Sequence, residues 1–73
     1  MEKKVLEIIN YIRKSKDLPA LAEIHPTDKL REQIQFSSFD LAELTVRIED
    51  EFGIDIFEDG LVASIGEIYE KLK

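Results

Sequence analysis

Apolar residues recur at helical spacing in three stretches of this chain, and two prolines separate the first stretch from the others. Val5, Ile8, Ile9 and Ile12 share one face of a helix between Lys3 and Lys16. Pro19 and Pro26 then mark a connection of about 20 residues, a length that is uncommon in a compact domain unless the segment is functional or tied down by its own apolar side chains. Leu18, Leu21, Ile24 and Leu30 are placed to tie it. A second helix is expected from near Ser37 to Gly53, because glycine suits the left-handed turn that ends helices. A short turn or helix follows from about Phe57 to Leu61. The last helix starts at Ser64, where Ser64-Ile65-Gly66-Glu67 has the spacing of a capping box and Ile65, Ile68 and Leu72 form the buried stripe. With no strand pattern and no repeat, the expected fold is all-α: a small four-helix bundle over a single domain 1–73, with a long loop between helices 1 and 2 and a short third helix.

A chain of 73 residues buries too little surface to enclose both a core and a deep active-site pocket, so an enzyme is not expected. With no cysteine there is neither a disulfide framework nor a thiolate metal site, and the cytoplasm is the simpler compartment. The start, Met1-Glu2-Lys3-Lys4-Val5, lacks the apolar run of a signal peptide, and no stretch is long enough to span a bilayer. Charge is unevenly placed. Asp40, Glu43, Glu49, Asp50, Glu51, Asp55, Glu58 and Asp59 are opposed between residues 37 and 59 only by Arg47, so this segment accounts for the whole net charge of −6. Such a field attracts basic protein surfaces, and it argues against nucleic acid or an anionic membrane as partner.

The second helix has two apolar faces. Leu41, Leu44, Ile48 and Phe52 make a stripe wide enough for the core, while Phe39, Ala42 and Val46 lie opposite among Glu43 and Asp50. Acids around a small apolar stripe have the composition of a docking surface, although single exposed hydrophobes are also normal on any protein. At the helix start, Ser37 and Asp40 have capping-box spacing, which makes Ser38 the first helical residue with its hydroxyl free. Unpaired amides and the positive dipole end favour a phosphodiester there, while two serines at a helix start are also what capping alone requires.

From Leu30 to Leu72 the chain resembles the acyl carrier proteins, small helical proteins that hold biosynthetic intermediates as thioesters on a 4′-phosphopantetheine arm. Ser37-Ser38-Phe39 occupies the slot of that family's Asp-Ser-Leu. Asp40-Leu41-Ala42-Glu43-Leu44 and Glu49-Asp50-Glu51-Phe52-Gly53-Ile54 match the acidic helix and its ending, and Ser64-Ile65-Gly66-Glu67 is similar to the family's Thr-Val-Gly-Asp. The resemblance implies a monomeric, non-catalytic carrier, with the arm transferred from coenzyme A to Ser38 by a phosphopantetheinyl transferase using Mg²⁺. It implies that Phe39, Asp40, Ala42, Glu43, Val46, Arg47, Asp50 and Ile56 present the loaded arm to acyl-activating, condensing or acyl-transferring enzymes with basic docking surfaces. A sheltered acyl chain is expected near Leu44, Ile48, Phe52 and Ile68. Two departures, Ser37 in place of Asp and Phe39 in place of Leu, favour a specialised lipid, polyketide or related pathway over housekeeping fatty-acid synthesis.

Two other classes stay open. An unmodified acidic adaptor with the same fold only docks partners. An aminoacyl or peptidyl carrier is disfavoured because Gln35-Phe36 stands where such carriers usually have Gly-Gly. No metal site is expected: His25 has no second histidine or cysteine to join it, and Phe57 falls where an EF-hand loop needs a ligand. Glu49-Asp50-Glu51 with Asp55 and Glu58 is expected to hold a divalent cation loosely at most.

Overall fold

The three periodic stretches form helices in the computed structural model, which describes residues Met1–Lys73: α1 (Glu2–Ser15), α2 (Ser38–Phe52) and α3 (Ile65–Leu72). There is no sheet, only an isolated antiparallel bridge between Lys29 and Ser64. Val5, Ile9 and Ile12 of α1, Leu44 and Ile48 of α2, and Ile65 and Ile68 of α3 are fully buried against one another in one core. None of the helices is long and apolar enough to cross a membrane.

The helix ends follow local chemistry. Asp17 adopts φ 62°, and the amides of Lys16 and Leu18 both return to the Arg13 carbonyl, closing α1 with a left-handed residue that is not glycine. Gly53, at φ 73°, ends α2 as its sequence position predicts. Ser64 caps α3 by accepting from the Glu67 amide at 3.3 Å, but the Glu67 carboxylate returns to the Ala63 amide, one residue before the cap.

Of the short turn or helix expected around Phe57–Leu61, the third of four in the expected bundle, the structure has a series of turns. The Asp55 carboxylate accepts from the Phe57 amide, three-residue bonds run from Glu58 to Asp55 and from Gly60 to Phe57, and Gly60 takes φ 130°. Side-chain capture of the backbone by Asp55 and a conformation open mainly to glycine both oppose continuation into α-helix.

The connection from Lys16 to Ser37 has no α-helix, yet Leu30, Ile34 and Phe36 are buried in the core, joined by half-buried Leu21 and Ile24. Its backbone is also bonded to the rest of the fold. The first amides of α3, on Ile65 and Gly66, donate to the carbonyls of Asp28 and Pro26, and the Leu30 amide donates to Ala63. Arg13, only 3% exposed, donates from Nη1 to the Ile34 carbonyl at 2.8 Å and from Nε to the Pro19 carbonyl at 3.1 Å. No buried side-chain nitrogen or oxygen is left without a partner.

Replacing Arg13 with Met keeps the stem but orphans two loop carbonyls. The expected loss in unfolding free energy is about 2 kcal/mol, within the range for stranding buried polar groups. Exposed Lys14→Met should change stability by less than about 0.5 kcal/mol. Urea denaturation of the two variants checks the contrast, and equal stabilities would show that Arg13 does not hold the connection.

Candidate functional site

Ser37 precedes the first turn of α2 in extended conformation and closes a complete capping box. Its Oγ accepts from the Asp40 amide at 3.3 Å, while Asp40 Oδ2 accepts from the Ser37 amide at 2.8 Å and the Ser37 hydroxyl at 3.0 Å. Ser37 therefore takes the capping role, and Ser38 is left exposed as the first helical residue. Ser38 Oγ accepts a hydrogen bond from Nη2 of Arg31 at 2.7 Å, a neighbour that no periodic pattern in the sequence announces.

Asp40, expected on the docking surface, is 5% exposed and turned inward. Lys16, from the end of α1, reaches both its carboxylate and the Gln35 carbonyl, and stands 5.8 Å from the centre of the Phe36 ring. Burial alone would raise the Asp40 pKa, but the Lys16 hydrogen bond, the Ser37 amide and hydroxyl, and the Lys16 charge outweigh it and hold the carboxyl below its ordinary value. With Oδ2 engaged by Lys16 and Ser37 inside the fold, Asp40 orders the start of α2, and its charge is already paired within the chain.

Ile56 also departs from expectation. It is 0% exposed and belongs to the core, because the turns after α2 fold its side chain back under the helices, so it is no contact residue. The outer face of α2 does carry exposed hydrophobes: Phe39 is 79% and Val46 65% exposed, with Ala42 and Asp50 also exposed beside them. Glu43 and Arg47 are half-buried and paired at 2.8 Å, and the Arg47 guanidinium lies 4.1 Å from the centre of the Tyr11 ring. This pair fixes the flank of an open groove of about 500 Å³ between α1 and α2.

Leu44, Ile48 and Ile68, where an acyl shelter is expected, are all 0% exposed and packed into the core. An apolar groove of about 400 Å³ lies nearer Ser38, bounded by Leu30, Arg31, Leu41, Leu61, Val62 and Ala63. Leu61 is 90% exposed at its rim. His25 is exposed on the loop, with Nε2 3.2 Å from the Glu23 carboxylate, and lines neither groove.

A family model described as a phosphopantetheine attachment site matches residues 6–72. No curated protein and no solved structure gives a match.

The Lys16–Asp40 pair makes stability depend on pH with a definite sign. The folded pKa of Asp40 lies below the unfolded one, so its contribution is complete above about pH 4 and is lost as the pH falls through the lower folded value. Asp40→Asn should lower unfolding free energy by about 1 kcal/mol at neutral pH, as loss of a helix cap does. The gap from wild type should narrow in acid, and a gap that stays constant from pH 7 to pH 2 in urea titrations would sink this account.

Proposed function

This chain belongs to the phosphopantetheine-attachment family, and from that membership we propose that it is an acyl carrier whose arm is joined to Ser38. The prosthetic group is covalent 4′-phosphopantetheine. Its terminal thiol holds an acyl group as a thioester, which is why a chain without cysteine can do this work. The site fits the group in three respects. Ser38 is exposed, its hydroxyl is released from capping by Ser37, and an unpaired guanidinium stands beside it at the head of a helix whose first amides favour an anion. The observation that carries the choice of serine is this division of labour: Ser37 is engaged by Asp40 on both its amide and hydroxyl, and Ser38 is not.

The chain's own part is presentation. Ser38 supplies the oxygen that bears the arm, and the capping box with Lys16 and Asp40 fixes that oxygen relative to the core. Phe39, Ala42 and Val46 form an apolar strip for transient contact with acyl-activating, condensing or acyl-transferring enzymes, with Asp50 among the acids that meet a basic partner. Glu43 and Arg47, engaged with each other and with Tyr11, shape the edge of that strip and contribute little net field. The replacement of the family's Asp by Ser37 and of its Leu by Phe39 favours a specialised lipid, polyketide or related pathway.

The direct test is the intact mass after incubation with coenzyme A, Mg²⁺ and a broad-specificity phosphopantetheinyl transferase. Wild type and Ser37→Ala should each gain one phosphopantetheine, and Ser38→Ala should gain none. Gain in Ser38→Ala would place the arm elsewhere. Absence of gain in every protein, with a control carrier modified alongside, would favour an unmodified adaptor, whose partner binding would survive Ser38→Ala. Supplying the loaded protein with acyl-activating and amino-acid-activating enzymes in parallel should give a thioester only with the former.

A further inference from the structure

Arg31 is held in place more firmly than an exposed loop cation usually is. Its neighbour Leu30 is 1% exposed, Ile34 is 0% exposed, and the amides of Gln33 and Ile34 both return to the Lys29 carbonyl, so the turn that carries Arg31 is anchored on both sides. The Leu30 amide bonds Ala63, and the Phe36 amide returns to the Leu30 carbonyl, which ties the turn to the segment before α3 and to the start of α2. From that base Nη2 reaches Ser38 Oγ at 2.7 Å. Arg31 takes part in no ion pair with any of the chain's acids, while Asp40, the nearest acid of α2, is already neutralised by Lys16. The head of α2 therefore presents a positive charge without a counter-ion, in a segment that is otherwise strongly acidic. Arg31, with Lys29 and Glu32, also lines the apolar groove beside Leu41, Leu61 and Val62, so the same side chain touches the serine and borders that groove.

Resting on the assignment of the arm to Ser38, we propose that Arg31 is the positioning residue for the arm: its guanidinium pairs with the phosphodiester on Ser38 and turns the arm over the groove lined by Leu41, Leu61 and Val62. A planar guanidinium has a fork of donors that matches two phosphate oxygens, which an ammonium does not. The bond that Arg31 makes to the hydroxyl in the free chain is replaced by a stronger, charge-assisted one in the loaded chain, with no movement of the anchored turn. Because the pair is exposed, it is screened by salt, and its effect is to bias the arm's direction without locking it. Partners then meet an arm that leaves Ser38 on the side of the 61–63 segment.

Loaded and unloaded forms of wild type, Arg31→Gln and Arg31→Lys are compared by NMR. In wild type, loading should slow exchange of the Arg31 Nε–H by about threefold at low salt, the size expected of an exposed ion pair, and high salt should reverse it. Loading should also shift the methyl resonances of Leu41, Leu61 and Val62. Arg31→Gln should load to completion yet lose those methyl shifts and move the phosphodiester ³¹P resonance, with Arg31→Lys intermediate. Complete loading with the same ³¹P position and the same methyl shifts in Arg31→Gln would overturn the proposal and leave Ser38 as the attachment point. Failure of all three proteins to load, with a control carrier modified alongside, would instead remove the assignment to Ser38 and this inference with it.

Discussion

Two cations at the end of α1 hold the connection that leads to the serine. Arg13 donates to the carbonyls of Pro19 and Ile34, and Lys16 to the carbonyl of Gln35 and the carboxylate of Asp40. Cations are favoured at that end of a helix by the partial negative charge of its last carbonyls, so the same residues suit the helix and the loop. The connection is too long to order itself, and the cost of fixing its backbone has to be offset by contacts from outside it. Burial of Leu30, Ile34 and Phe36 supplies the apolar part of that compensation, and the two cations supply direction. Gln35 accepts the remaining constraint. It sits at φ 67°, a conformation costing a non-glycine residue about 1 kcal/mol, which lets Ile34 and Phe36 on either side both reach the core.

The head of α2 follows from that anchoring. Asp40 lies where Lys16 can reach it only because the loop brings Gln35 and Ser37 back against the end of α1. Once Asp40 is engaged there, its second duty is to close the capping box, and the hydroxyl that needs no structural partner is Ser38. An acid that counts toward the chain's negative charge is thus used for folding, and the field that reaches a partner comes from exposed acids further along, such as Glu49 and Asp50. Buried charge of this kind is retained only when it is paired or hydrogen-bonded, as Asp40 is by Lys16 and Arg13 by the Pro19 and Ile34 carbonyls.

Much of the fold was legible because helix periodicity is a local property. The faces of α1, α2 and α3, the Gly53 stop and the Ser37–Asp40 box all follow from spacing within about one to four turns. The core outside the helices was not: Ile34, Phe36, Ile56 and Val62 sit in irregular backbone, where no period marks which side chains turn inward. The resemblance misplaces Asp40 and Ile56 on the docking surface, since a motif match says nothing of what an adjoining segment covers. Arg31 lies seven positions before Ser38 across a turn, so its approach depends on the anchoring of Leu30 and Ile34 and has no sequence signal of its own.

By itself the sequence determined the inward faces of α1, α2 and α3, an acidic second helix, a serine pair at its head and the motif pattern of a phosphopantetheine carrier, but not that the segment around Phe57–Leu61 forms turns. These are set by residue identity over short separations, where backbone geometry is regular. Only the tertiary structure decided which charges are spent inside, which loop residues complete the core, and which cation stands at the attachment serine. Those depend on contacts between residues distant in the chain, and they exist only once the loop has closed on α1 and α3.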